Sequence, residues 1–368
     1  DALTHDRETF INEIEKVLLE VKSIQEKQGE NKMTTSTEPT KETKAPEQTG
    51  NENHKKDYEG LKRAYVKKFL NDIEKFDPDN NINTNIFYKF DSQVGIIPGL
   101  IYAIGGVSSF GKTTFALQMA DSIASTGKND VLFFSLEMSG SELIARSLSR
   151  ISHIKNEIGN KGLNVKNMNK AYKQAGGEEF EKFDNAYDYY NRKILPNLYI
   201  KEGGFDSGIK EIVEETKTYI NSTGNRPVVF IDYLQIISPD NNSKTERQDI
   251  TANVKQLKIL ARDYDIPIIF ISSFSRAYYY KSADMDAFKE SGNIEYSCDV
   301  CLAIQKRGLF EETQKDSQKA NSKEYDDNNP KREIEILILK NRWGKRYFTI
   351  DYDYIPEFHY LKELDKKK

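Results

Sequence analysis

Gly106-Val107-Ser108-Ser109-Phe110-Gly111-Lys112-Thr113 is the stretch that decides the fold of this chain. It matches G-x-x-x-x-G-K-[ST] at every fixed position, with an apolar run at 100–104 before it and a helix-forming run at 112–124 after it. A chain of phosphates needs several backbone N–H donors at close range, and glycines let the main chain wrap around them. Lys112 would neutralise the outer phosphates, and the Thr113 hydroxyl would ligate Mg²⁺. The helix that follows adds the positive end of its dipole. Gly106, Ser108, Ser109, Gly111, Lys112, Thr113 and Thr114 are therefore the nucleotide-binding candidates, with ATP and Mg²⁺ as cofactors.

Outward from this loop, apolar runs alternate with helical patterns. The predicted strands are 100–104, 131–136, 198–200, 228–231, 266–271, 300–304, 334–339 and 347–350. Between them, 112–124 is apolar nearly all round, as a buried helix is, and Ile250, Val254, Leu257, Ala261 and Tyr264 form a one-sided stripe. Alternation of this kind predicts an α/β domain, a mostly parallel central sheet flanked by helices, over 77–360. Residues 308–332 are polar and read as a surface insertion, and 361–368 as a charged tail.

Two acids end apolar strands. Val228-Val229-Phe230-Ile231-Asp232 delivers a carboxylate to the sheet's C-terminal edge, where it would support the metal. Phe133-Phe134-Ser135-Leu136-Glu137 does the same, and a carboxylate there can orient and polarise a water for attack. The plainer readings are an Asp that caps a strand and a Glu that opens the next helix.

The chain before this domain differs in kind. Phe10, Ile14, Val17, Val21 and Ile24 share one helical face within 1–28. Residues 29–56 are rich in Thr, Lys, Glu and Asn with Pro39 and Pro46, a composition that predicts a flexible linker. A linker helix at 57–76 carries Leu61, Tyr65, Phe69 and Ile73 on one side.

Bulk properties narrow the function. With 368 residues, 37% hydrophobic and 30% charged, the chain can bury one sizeable core. A net charge of -4 gives no global pull toward nucleic acid, so any such site must be a local groove, which a ring with a central channel could supply. No apolar run approaches the ~20 residues of a bilayer span, the first stretch is charged throughout, and two cysteines point to a reducing, cytoplasmic setting. Cys298-x-x-Cys301 has no second cysteine pair to complete a tetrahedral site and reads as packed thiols.

From about residue 84 to 352 the sequence resembles the C-terminal, RecA-like domain of the DnaB replicative helicases. The blocks SSFGKTTFALQMA, FFSLEMSGSELIARSLSR and VVFIDYLQII look like that family's phosphate loop, catalytic-glutamate strand and Mg²⁺ strand. FKESGNIEYSCDV resembles its loop that grips the backbone of single-stranded DNA, which implies Lys289, Glu290, Ser291 and Gly292 as DNA contacts, with Lys289 where the family usually has Arg. Lys340-Asn341-Arg342-Trp343-Gly344 is similar to the family's K-Q-R-x-G, whose Lys and Arg reach the γ-phosphate held by the adjacent subunit. The plainer reading is two solvated cations in a hairpin turn.

The resemblance implies a homo-oligomeric, hexameric ring that hydrolyses ATP, moves on single-stranded DNA and unwinds duplex, with no membrane partner. The alternatives are a recombination or repair ATPase of the same fold, and a nucleotide-gated ring that loads a primase. One departure is Ser272-Ser273-Phe274-Ser275-Arg276, where the family has S-Q-x-N-R: Ser273 is too short for the γ-phosphate-sensing role of that Gln. Asp1-Ala2-Leu3 and the helix after it look like the end of a Toprim primase domain, which implies a primase as partner, fused upstream or separate.

Overall fold

The structure, a computed structural model, describes residues 64–67, 81–155, 162–174, 176–203, 208–237, 246–274, 276–279, 281–291, 294–311 and 330–365. The chain divides into two units between Lys75 and Phe76. Of the first, residues 64–67 are described, a helical piece with Tyr65 and Val66 exposed. The predicted helix at 7–28, the linker at 29–56, Leu61, Phe69 and Ile73 lie outside the described residues, as does 312–329 of the polar insertion.

The second unit is built on a nine-stranded sheet whose first strand, β1 (Ile101–Gly106), is buried along its whole length. The helix after the phosphate loop, α2 (Lys112–Ser125), follows a short α1 (Tyr88–Gln93). Then come β2 (Val131–Ser135), α3 (Gly140–Lys155), α4 (Val165–Lys173), α5 (Glu178–Tyr189), β3 (Leu198–Glu202), α6 (Ile209–Thr223) and β4 (Val228–Asp232). They are followed by α7 (Glu246–Tyr264), β5 (Ile268–Ser273), the one-turn α8 (Ile294–Ser297), β6 (Val300–Lys306), β7 (Arg332–Asn341), β8 (Phe348–Ile355) and β9 (Tyr360–Glu363).

The strand order is β3-β2-β4-β5-β1-β6-β7-β8-β9. Pairing is parallel from β3 to β6 and antiparallel from β6 to β9. β1, β2 and β4 are buried at every position, as strands covered on both faces must be. β8 instead alternates between buried and partly exposed positions, as a strand with one wetter face does.

α2 is buried from Thr114 through Asp121 and again at Ile123 and Ala124, which accounts for its apolar character all round. Phe115 on α2 stacks on Phe87 at 5.1 Å and meets Tyr352 of β8 edge-on at 5.9 Å, so one aromatic cluster joins the phosphate-loop helix to the antiparallel extension. The stripe on α7 is buried at Ile250, Val254, Leu257 and Ala261, with Tyr264 half-buried against the core.

The predicted strands all form, displaced or lengthened by a few residues at their ends. β7 begins at Arg332, inside the segment read as insertion. β9 occupies 360–363, so part of the segment read as a charged tail closes the sheet, with Leu361 buried. Its Leu361 N–H donates to Gln118 Oε1 and its carbonyl accepts from Gln118 Nε2, each 2.9 Å. That pairing with a polar side chain on α2 left no apolar periodicity to read. Cys298 and Cys301 are both buried.

Candidate functional site

The parallel strands deliver their C-terminal ends to one edge of the sheet, the place where open α/β sheets hold ligands. A cleft of about 640 Å³ opens there, lined by Ser108, Ser109, Gly111, Lys112, Thr113 and Thr114 of the loop and by Glu137 and Asp232. Gly111 sits at φ 86° as the residue before α2, a left-handed conformation that a side chain would strain. Gly106 is required for a different reason: a Cβ there would lie 2.9 Å from the Ile304 carbonyl of β6. It lets two strands approach, while the wrap around phosphate falls to the residues after it. The Lys112 ammonium donates to the Val107 carbonyl at 3.0 Å, which holds it curled over the loop.

Register brings the two acids together. Ser135 lies opposite Asp232 on neighbouring strands, and the Leu136 N–H donates to the Asp232 carbonyl at 2.8 Å, so Glu137 begins beside the tip of β4. Asp232 is 2% exposed. Burial raises its carboxyl to about 6, with Glu137 adding to the push, against a hydrogen bond from Thr113 and the charges of Lys112 and Arg146. Lys112 is lowered to about 8 by burial, a fall limited by Asp232 and Glu137. These are mutually dependent charges in a poorly solvated place.

Asp232 Oδ2 is buried without a hydrogen-bond partner among the described residues. An anionic oxygen so placed, next to a threonine hydroxyl, fits the chemistry of a hard divalent cation reached directly or through water. The residues present therefore suit Mg²⁺.

The lining residues that escaped the sequence reading include Arg146 on α3, and Arg332, Tyr354 and His359 from the antiparallel extension. Arg332 donates to the Ser109 carbonyl at 2.9 Å, and the Tyr354 ring lies against Gly111. His359 is lowered to about 4, chiefly by burial and then by Arg146 and Arg150, and Arg150 donates to its carbonyl at 3.2 Å. No motif marks Arg332, Tyr354 or His359, which only the return of β7 to β9 across the loop brings in; Arg146 comes from α3, within the FFSLEMSGSELIARSLSR block. Ser273, the departure noted above, faces Gly106 across the β1–β5 pair and lines the cleft.

The remaining predicted residues lie elsewhere. β7 runs antiparallel to β6, so Arg332 starts at the cleft while Lys340 pairs with Cys301 at the opposite edge of the sheet. There the Lys340 ammonium donates to the Glu295 carbonyl at 2.6 Å. Arg342 donates to Asp299 at 3.2 Å and to the Tyr296 carbonyl at 3.1 Å. Neither cation lines the cleft. Lys289, Glu290 and Ser291 fall in a 3₁₀ turn, Met285–Ser291, whose last residue precedes Gly292 outside the described residues. The side chains at 289–291 are likewise outside them.

The model of the DnaB-like helicase C-terminal domain matches residues 82–363, spanning the whole sheet. The chain belongs to that family.

Among individual DnaB relatives, the replicative DNA helicase DnaB of Buchnera aphidicola subsp. Baizongia pistaciae is 28% identical over 234 residues, 63% of this chain and 48% of that protein. The DnaB of Geobacillus stearothermophilus is 28% identical over 263 residues, 70% and 51% of the two chains. This chain thus spans about half the length of the curated relatives it matches. Of solved structures, one of an ATPase domain superposes with a TM-score of 0.64 at 22% identity, over 83% of this chain and 99% of that one. A DnaB-like replicative helicase described with its interactions with primase also scores 0.64 at 22%, over 82% and 68%. Both share the fold.

Proposed function

We propose that this DnaB-family domain is an ATP-hydrolysing motor that moves on single-stranded DNA as a ring and separates duplex strands. The observation that carries the reading is one cleft that joins Lys112, Thr113, Asp232 and Glu137, while Lys340 and Arg342 stand at the far edge of the same sheet. The loop residues Gly106 to Thr114 would cradle the phosphates, and Lys112 would offset their charge. Thr113 and Asp232 would hold Mg²⁺, which when bound neutralises charge on the outer phosphates. Glu137 would align and polarise the attacking water.

In this reading Lys340 and Arg342 complete the cleft of the adjacent subunit, so hydrolysis depends on assembly. The 289–292 segment would grip the DNA backbone, giving little sequence preference and strong salt dependence. A hexamer and a primase partner belong to the same proposal, the latter in keeping with a solved DnaB-like helicase described with its interactions with primase.

A forked-duplex assay with ATP and Mg²⁺ tests the reading: strand separation is expected, and it should disappear with Lys112→Ala. Ser273 at the cleft supports a second reading, a duplex-remodelling ATPase whose hydrolysis is coupled differently to movement. ATP turnover stimulated by single-stranded DNA without any unwinding would favour that reading over the first.

A further inference from the structure

α2 borders two cavities. Its first turn closes the nucleotide cleft, while Gln118 and Asp121 further along belong to the wall of a second space of about 540 Å³. α1, α3, β9 and the turn after α5 supply the rest of that wall, which is mostly apolar, with Ile151, Ile194 and Leu361 buried. The half-buried rings of Tyr189 and Tyr360 also line it. The ATP-driven chemistry proposed above uses none of these residues.

A charged pair is built into the apolar wall. Arg150 Nη2 donates to Asp121 Oδ2, and the two side chains are only 3% and 6% exposed. The second Asp121 oxygen, Oδ1, is buried with no hydrogen-bond partner among the described residues. The Tyr190 hydroxyl is buried without a partner as well, and burial and then the Asp121 charge raise it above its ordinary range. Tyr190 opens a π-helical turn, Tyr190–Ile194, an irregularity of the kind that collects at functional sites. A buried carboxylate oxygen left unpaired is costly, and a donor delivered to it recovers that cost.

The chemistry of an occupant follows from these groups. Asp121 and Arg150 cancel, and so do the other charged lining residues, Lys89, Lys362, Glu363 and Asp365. A charged guest would therefore be buried without a counterion, which selects a neutral one. The open oxygen calls for an O–H or N–H donor, and apolar walls with two tyrosine rings suit a flat apolar body. We propose that this cavity is an effector site for a small neutral aromatic molecule, held through an O–H or N–H donor at Asp121 Oδ1. Its influence would reach the cleft by two short routes. Arg150 Nη1 donates to the carbonyl of His359, a cleft-lining residue, at 3.2 Å. Gln118 is bonded twice to Leu361 of β9, two residues past His359. A guest that moves either contact acts on the cleft, and bound nucleotide then alters the guest's affinity by the same factor. The coupling rests on reading that cleft as the nucleotide site; the binding does not.

Calorimetry of the full chain with phenol and with anisole tests the site, because methylation of the oxygen removes only the donor. Phenol should bind, and anisole about tenfold or more weakly. Crystals soaked in 4-iodophenol should place the anomalous peak of iodine in this cavity. Asp121→Asn keeps an acceptor for Arg150 and turns an N–H donor toward the guest, so the gap between phenol and anisole should shrink. Should that variant fail to fold, the two ligands on the wild-type chain still decide the matter. A non-hydrolysable ATP analogue with Mg²⁺ should bind alongside phenol and change its Kd about fivefold or more.

Equal affinity for phenol and anisole overturns the inference, as does an iodine peak anywhere else, and both leave the proposed motor standing. Displacement of the nucleotide by phenol also overturns it, since the guest would then occupy the cleft. Phenol seated in the cavity with nucleotide affinity unmoved overturns the effector role. Phenol seated there in a chain that binds no nucleotide would support the site and count against the motor.

Discussion

The two edges of the sheet handle charge in opposite ways. At the cleft, Lys112, Asp232 and Glu137 are drawn together by strand register, and burial moves Lys112 and Asp232 away from their ordinary titration ranges. At the opposite edge, Lys340 and Arg342 lean on backbone carbonyls and Asp299, and the Arg342 side chain is 48% exposed. One edge is preorganised for a ligand; the other holds its cations partly exposed and tied to its own backbone and to Asp299. β7 connects them, with Arg332 at its cleft end and Lys340 near the other. On the proposed reading, the chain carries both halves of a site at opposite edges of one sheet and closes it only with a second copy.

Substitutions can break this contrast in graded steps. Lys112→Ala should have the largest effect, abolishing ATP turnover; wild-type turnover in a phosphate-release assay would remove the cleft from consideration as the reactive site. Arg342→Ala should come next, lowering kcat of the assembled protein about 10³–10⁵-fold while nucleotide binding stays nearly intact. Mixing the two variants sharpens the comparison, because each supplies what the other lacks. Recovery of turnover in mixed assemblies is expected, and its absence would argue that both residues serve one cleft.

Arg332→Ala should act only on the cleft edge. It removes the hydrogen bond to the Ser109 carbonyl. Loss of a charge-assisted bond of this kind predicts about tenfold weaker nucleotide binding, measurable by calorimetry. A change confined to kcat, with affinity unaltered, would place Arg332 in the chemistry instead.

The smallest effect concerns His359, lowered to about 4 by burial and the nearby Arg146 and Arg150. The folded chain therefore binds this proton less readily than the unfolded chain. The associated stability is present above about pH 6.5 and is lost as pH falls through about 4. His359 is partly exposed, and solvent screening cuts the contribution to about 1–2 kcal/mol. Denaturant titrations of wild type and His359→Asn should show a gap that narrows over this window, whereas parallel pH curves would contradict it. Asn suits the left-handed backbone at this position, φ 48°.

Legibility in the sequence followed the range of the interaction. The phosphate loop, the Asp232 strand and the Glu137 strand were readable because each is a local pattern: a run of apolar residues, then a residue with a role. The fold followed from their alternation. Arg332, Tyr354 and His359 were not readable, since nothing in their own neighbourhoods distinguishes them from residues on any strand end. Their place at the cleft depends on how β7, β8 and β9 fold back. β9 was missed because its buried edge is satisfied by Gln118, a polar side chain more than two hundred residues away in sequence. The opposite-edge position of Lys340 and Arg342 needed the direction of β7, which a motif does not carry.

The two carbonyls that restrain Lys340 and Arg342 belong to Glu295 and Tyr296, inside α8 and only a few residues past the 289–292 segment. A tug on either cation is therefore transmitted, through a pair of direct bonds, to a single helical turn. Whatever draws that strand end outward must either drag the turn along or break those bonds.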